Sequence, residues 1–520
     1  MNSIFPKKPV FDINYKLLNN IFPTISIEKK IFKLIYKSLE NNIKNIDKKI
    51  PNNICINLQT IHLYLALDLT SYFTKLYIIE RYHELKSKNE INKCDYFEDL
   101  INDKIESFPI YFKLKDKTLK RKNSFNEYLR IIHNFFFDSG FSKKAKYFIN
   151  TNDNLAFTIN DYLKLKSKER KFVLSNYSIF MHFDKKKFNL IKNIDYDYLI
   201  KIILSDTINI FKENLKSYNF KNNLIINDIF KKYILHCLKI ESGILRNERY
   251  LTKNIYVGSL GIINNRFLSI FTKKSLKKIK LNTFDHGVGN GFIKSEIHSL
   301  VEFSNFSIFH TFNKLQKNNI INNISNSFID LGNNTKIIED YKQKEIITKK
   351  INKKNKSILL VMTDFKDLKV SFPPLNNDFY QLFFLSEFNK VSNLLGYDLY
   401  LKPHPSSNLN YYLNLKSPYV INQKNKFEDI AENFSILIFD FFGSSTVKYG
   451  LSTNIPIIFI DHGSLELFDN VKNLLSKRVE FLKFTKDKFN LPIIKKRLLE
   501  ESINLSLKKI NNTEYRKIWY

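Results

Sequence analysis

The sequence predicts an α/β protein. Two parallel-sheet units face a cleft, and a largely helical N-terminal extension precedes them. Three observations carry that prediction. Short apolar runs closed by small, polar or turn residues recur at ILLVMTDF, YDLYLKPHPSS, ILIFDFFGSST and IPIIFID. Runs of this kind are buried parallel strands. Helical stretches separate several of them, as in β-α-β units. Upstream of residue 250 the apolar residues instead repeat at helical spacing.

At 520 residues the chain exceeds one ordinary core, so several domains are expected. Helical character begins around Ile27–Ile46 and resumes from Leu58 to about Lys86, where Leu65, Leu69, Tyr72, Leu76 and Ile79 fall at spacings of 4, 3, 4 and 3. Residues 95–250 continue mostly helical, with polar breaks near Lys115–Asn123 and Thr151–Asn154. From Asn254 the pattern changes to strand (NIYVGSLG), helix (NNRFLSIFTKKSLKK), then strand and glycine-rich loop (IKLNTFDHGVGNG), with a further strand over Phe306–Phe312. Residues 341–357 carry seven lysines and no core pattern, and read as a linker. A second α/β unit begins at Ser357. Its first helix spans about Asp378–Leu395, closed by Gly396. The expected division is 1–250 mostly helical, 251–345 the first α/β half, 346–475 the second, and 476–520 basic C-terminal helices.

Composition excludes several classes. An apolar content of 43% argues against a disordered chain. The net charge of +32 suggests a nucleic-acid partner at first sight. Its lysines are scattered, however, and read mainly as solvated faces. Nucleic acid is therefore not expected; attraction to an anionic membrane surface or a polyanionic substrate remains. The three cysteines, Cys55, Cys94 and Cys237, share no CxxC spacing, which fits a reducing compartment. No apolar run is long enough to span a bilayer, and the N-terminus lacks a signal-peptide core. A cytoplasmic chain is expected, either soluble or held at the inner face of the cell membrane.

Three constellations could carry chemistry. In Lys402-Pro403-His404-Pro405 two prolines stiffen the backbone around an imidazole at a strand end. Such a His, beside a Lys, can donate to a phosphate oxygen or protonate a leaving phosphate. Gly443-Ser444-Ser445-Thr446 follows the next strand. Ser444 reads as an N-cap, and hydroxyls with free N–H groups at a helix start can hold a phosphate. Between them Asp440 either orients His404, binds a ribose or ends its strand. The third is Asp285-His286-Gly287-Val288-Gly289-Asn290-Gly291, where glycines let the backbone approach a ligand closely. Asp285 or His286 would be the base for an acceptor hydroxyl, with Gly287, Gly289 and Asn290 as the acceptor loop.

Other signals fall away. Asp195-Tyr196-Asp197 has the D-x-D form of a metal site but heads a helix, where carboxylates cap. No zinc spacing, phosphate-loop motif or dinucleotide fingerprint occurs. Neither a metal nor a cofactor is expected. The remaining histidines, including His62, His298, His310 and His462, read as structural. The triplet Asp-His-Gly occurs twice after a strand, at Asp285–Gly287 and Asp461–Gly463.

Over roughly residues 254–475 these motifs resemble the two-Rossmann-domain (GT-B) glycosyltransferases of bacterial surface polysaccharides, in particular capsule Kdo transferases and teichoic-acid CDP-glycerol glycerophosphotransferases. Bacterial sialyltransferases share a similar His-Pro and Ser-Ser/Thr pair. The resemblance implies metal-independent transfer from a CMP- or CDP-activated donor to a surface-polysaccharide or lipid-linked glycan. It implies that His404 contacts the donor phosphate and assists the leaving nucleotide, with Lys402, Ser444, Ser445 and Thr446 around that phosphate. Asp285 or His286 would deprotonate the acceptor. Sialyltransferases carry two acidic residues before the loop glycine; here the second is His286, which favours Kdo or polyol phosphate. The alternative is a non-catalytic basic α/β protein that binds a polyanionic glycan or nucleic acid. A sugar-nucleotide epimerase or hydrolase would differ by turning over without an acceptor.

Overall fold

The computed structural model describes residues 19–46, 50, 52–90, 95–101, 154–156, 173–174, 195–247, 254–258, 260, 265–266, 268–270, 279–284, 289–303, 305–327, 335–340, 356–363, 376–404, 419–422, 424–443 and 446–519. The N-terminal helices are α1 (Ile25–Lys44), α2 (Asn52–Ser87), α3 (Asp95–Ile101), α4 (Tyr196–Asn214) and α5 (Phe220–Asn247). Helix α2 is buried along most of its middle, from Ile61 to Leu76, as an all-round apolar helix must be. Its one buried acid, Asp68, accepts from the hydroxyl of Tyr233 on α5.

The first sheet is wholly parallel, in the order β2-β1-β3-β4-β5-β6. Its strands are β1 (Asn154–Ala156), β2 (Val173–Leu174), β3 (Asn254–Val257), β4 (Lys280–Phe284), β5 (Ile308–Thr311) and β6 (Lys336–Glu339), with α6 (Glu296–Glu302) and α7 (Lys314–Ser325) among its connections. The sheet thus starts upstream of 251. The polar stretch near 151–154, expected to interrupt helical sequence, leads into β1. One apolar core joins α1, α2, α4 and α5 to this sheet, so the helical extension and the first sheet form one body.

The second sheet is also parallel, in the order β12-β11-β10-β7-β8-β9. In chain order the elements are β7 (Ser357–Val361), α8 (Asp378–Leu394), β8 (Asp398–Lys402), β9 (Tyr419–Val420), α9 (Phe427–Ile430), β10 (Ile436–Phe439), α10 (Thr446–Ser452), β11 (Ile457–Asp461), α11 (Asp469–Ser476) and β12 (Glu480–Lys483). The period of two is visible in its packing. Ile358, Leu360, Ile436, Ile438, Ile458 and Ile460 fill one face, while Leu359, Val361, Leu437, Phe439, Ile457 and Phe459 fill the other. The C-terminal stretch is not helical throughout. It supplies β12, a ribbon of β13 (Thr485–Lys486) and β14 (Pro492–Ile493), then α12 (Lys496–Lys508). Pairing with the free edge of β11 satisfies the backbone of Glu480–Lys483, a demand no local helix signal reports.

The two units meet through a short bridge. Ile293 pairs antiparallel with Leu467, Lys294 N–H donates to Glu466 O (2.7 Å), and Phe468 N–H donates to Phe292 O (3.0 Å). Phe292 and Phe312 of the first unit share a core with Phe442 and Trp519 of the second. The N-terminal helices also touch both units. Lys33 on α1 pairs with Glu296 at 2.6 Å, and Phe22 and Phe97 lie against Phe379 on α8. The expected arrangement, two Rossmann-like sheets with a cleft between them and a helical N-terminal region, is the one observed.

Candidate functional site

A parallel sheet opens a crevice where its strand order reverses, beyond the carboxyl ends of the two strands concerned. In the second sheet the chain runs outward through β8 and β9, then returns to β10 on the other side of β7. The reversal lies between β7 and β10. Asp440 stands at the end of β10, and its carboxylate accepts Thr363 N–H (2.9 Å) and Thr363 Oγ1 (3.5 Å) from the segment after β7. Burial pushes this carboxyl up to about 7, against the pull of the Thr363 bonds. Of the three sequence readings for Asp440, closure of its own strand end is thus met by a specific bond. The same residue lines the cleft.

Lys402 ends β8 in register with Val361 of β7, and Val361 pairs in turn with Phe439 of β10. At a strand spacing of about 4.8 Å, Lys402 and Asp440 stand roughly 10 Å apart along one rim. Lys402 is buried, its Nζ lies 3.5 Å from Pro403 O, and burial lowers the ammonium from its usual value. His404 is two residues further and exposed. On the other side Thr446 opens α10 directly after the β10 turn. Ser444 and Ser445 lie outside the described residues. The chain therefore gathers Lys402, His404, Asp440 and Thr446 at the carboxyl rim of one sheet.

The third motif is described only in part. Asp285, His286, Gly287 and Val288 lie outside the described residues. Gly289 and Asn290 lead into the Phe292–Ser295 bridge, so the loop after β4 points its exit toward the second unit. Asn290 is buried, with Oδ1 2.9 Å from His298 Nε2 and its carbonyl accepting Gln316 Nε2 (3.0 Å). These bonds fasten the loop to α6 and α7.

Next to the rim is a cleft of about 430 Å³, walled by Ile293–Ser295, Asp440–Phe442 and the stretch from Phe459 to Leu467. His462, one of the histidines whose sequence setting suggests a structural role, is among its lining residues. Strand β11 stops at Asp461, whose carboxylate accepts Gly463 N–H at 2.9 Å. Gly463 has φ +73, a left-handed turn that glycine adopts without strain. The turn tucks His462 inward, where Nδ1 meets the Tyr380 hydroxyl at 3.0 Å and the ring stands edge-on to Phe384. Asn377 caps α8 by accepting Tyr380 N–H, which sets Tyr380 in the first turn behind the imidazole. Burial lowers His462 to about 3, with the Lys486 charge adding to the effect, so the ring is neutral at ordinary pH. Its Nε2 is buried with no hydrogen-bond partner among the described residues. The one sequence sign of this site was the second Asp-His-Gly triplet after a strand.

Two further histidines are held at both ring nitrogens. His62 is held by Gln59 O and Tyr36 OH, both at 2.7 Å, and His310 by Asp340 at 2.7 Å and Asn282 at 3.1 Å. Asp195 caps α4 by accepting Tyr198 N–H at 2.9 Å, the helix-start role expected of it. Among the described residues no His/Cys/Asp/Glu cluster suits a metal. No helix among them is long and apolar enough to cross a membrane.

No family model matches the chain, and no curated protein matches it. Among solved structures it is similar to the spinosyn rhamnosyltransferase SpnG, at 12% identity and a TM-score of 0.30, covering 55% of this chain and 72% of that one. SpnG complexed with thymidine diphosphate gives 11%, 0.30, 55% and 72%. The glycosyltransferase SnogD from Streptomyces nogalater gives 10%, 0.31, 55% and 73%. At these identities and TM-scores the likeness assigns no chemistry to this chain. The fold class rests on its own two parallel sheets.

Proposed function

We propose that this protein is a glycosyltransferase, or polyol-phosphate transferase, that moves a group from a CMP- or CDP-activated donor to a surface-polysaccharide or lipid-linked glycan. The observation that carries the reading is the gathering of Lys402, His404, Asp440 and Thr446 on one sheet rim beside an interlobe cleft. A donor phosphate fits there. His404 donates to its oxygen, Thr446 with Ser444 and Ser445 supplies hydroxyls, and Lys402 adds positive field. In the transfer an acceptor oxygen forms a bond to the moving group while the bond to the donor phosphate breaks. The nucleotide leaves with the electron pair, stabilised by His404. The acceptor proton passes to Asp285 or His286. This reading requires no metal. The net charge of +32 would draw the chain toward an anionic membrane surface, and so toward a lipid-linked acceptor.

The test has two arms. His404→Ala is expected to lower transfer by about 10²-fold or more, the range for loss of a proton donor, with an unchanged melting temperature. Wild-type activity in that variant removes the mechanism. Titration with CMP, CDP, UDP and GDP is the second arm. A transferase stabilises preferentially with one nucleotide. The charge also suits a second reading, a non-catalytic binder of a polyanionic glycan or nucleic acid. Such a binder shows no nucleotide preference and loses affinity steeply with salt.

A further inference from the structure

Among the described residues the lobes are joined on both faces of the second sheet. On one face Phe292 and Phe312 of the first lobe share a core with Phe439, Phe459 and Trp519. On the other face α8 packs through Tyr380, Phe384 and Phe388, and the start of the chain grips its first turn. Phe379 on α8 meets the rings of Phe22 and Phe97, with centroids at 5.5 and 5.9 Å. All three rings are buried. Phe97 on α3 is stacked in turn on Tyr82 of α2 at 4.9 Å, which roots the contact in the N-terminal helices. Beside the rings, Asn19 makes two bonds to the second lobe. Its Nδ2 donates to Phe489 O, in the turn between β13 and β14, and its Oδ1 accepts from Asn377 Nδ2, both at 2.8 Å.

From there the chain crosses to the first lobe along α1. Asn19 is bonded to the second lobe, Lys29 lines the cleft, and Lys33 pairs with Glu296 of the first lobe at 2.6 Å. Ile31, Phe32 and Ile35 on the same helix enter the core of the first sheet. Lobes joined at a single small interface pivot about it by default. Here the two contacts lie on opposite faces, so opening the lobes about the Trp519 junction pulls on the N-terminal one. Such a motion brings three buried rings into water and breaks both Asn19 bonds, so it loses apolar burial and hydrogen bonds together.

We propose that the segment Asn19–Phe22, with α1 behind it, is a clamp across the cleft that holds the two lobes at their working separation before any ligand arrives. This gives the helical N-terminal region a role beyond packing. The proposal concerns the spacing of the lobes and stands whether or not the chain is a transferase. A protein clamped in this way has no closing motion to drive from binding energy.

The test is small-angle X-ray scattering on wild type, Phe379→Ala and Asn19→Ala, each alone and with whichever of CMP, CDP, UDP and GDP the wild type binds. The wild type gives the same radius of gyration with and without nucleotide. Phe379→Ala gives a larger radius when free, and nucleotide returns it to the wild-type value. Its nucleotide affinity falls about tenfold, as it must when the closed spacing is populated about one time in ten. Backbone amides of β4 and β10 keep their wild-type hydrogen exchange, which separates lobe opening from unfolding. Asn19→Ala removes both side-chain bonds without emptying a core site and shows the same changes to a smaller extent, so the proposal stays testable if Phe379→Ala misfolds. Free variants that scatter like the wild type overturn the proposal. So does a gain in affinity, which would make the segment an obstruction to entry, and so does a wild type that contracts on binding nucleotide. If no nucleotide binds, the transferase reading falls, and the free proteins alone still decide whether the clamp exists.

Discussion

The carboxyl of Asp440 is shut away at a sheet reversal and bonded to one threonine. Its folded value of about 7 stands above its ordinary value near 3.8. Between those two values the folded chain keeps a proton that the unfolded chain has released. The group's contribution to stability is therefore full below the unfolded value and is lost as pH rises through about 7. A gap of that size corresponds to about 4 kcal/mol at most. Asp440→Asn keeps an oxygen to accept from Thr363 N–H and removes the titration. We expect the variant to melt above wild type at pH 8, with the advantage shrinking toward pH 4. Melts across that range check it; a difference independent of pH would mean that the carboxyl is ionised in the fold.

The turn after β4 shows how an element is set by what packs on it. Gly291 has φ +79, and a Cβ there would stand 2.8 Å from Gln316 Cγ and 2.9 Å from Gln316 O on α7. The sequence showed that glycines were needed for close approach. At Gly291 the group that approaches is a helix of the same chain. Gly291→Ala is expected to cost roughly 1–3 kcal/mol in strain alone, and more if α7 must shift. The readout is a lowered melting temperature together with weaker nucleotide-sugar binding, because the same turn carries Ile293–Ser295 into the cleft wall. Strands β7, β8, β10 and β11 were legible from their apolar runs. Strands β1 and β2 were not, because two- and three-residue strands leave no periodicity to read.

Between the lobes, apolar packing outweighs charge. Trp519 is 1% exposed and stands edge-on to Phe292 across the junction. Trp519→Ala should destabilise by about 3–5 kcal/mol, the usual cost of emptying an aromatic core site. It should also open the lobes to limited proteolysis. The Lys294–Glu466 pair spans the same junction but is exposed at both ends, at 51% and 67%. Solvent screens such a pair, so Lys294→Ala should leave melting nearly unchanged. A large loss from Lys294→Ala with none from Trp519→Ala would reverse this account of what holds the cleft together.

The alternation of apolar runs and helices was enough to establish the class of fold, because parallel strands buried on both faces must be continuously apolar. The position of Asp440 at a strand end was legible for the same local reason. His462 was not. Its sequence neighbours are those of any strand end, and its distinction is burial behind a tyrosine hydroxyl from a distant helix. That property depends on Tyr380, 82 residues away, and on a cleft wall supplied by the other lobe. Local sequence encodes strands and turns; whether a buried polar atom is satisfied is settled only when distant segments pack.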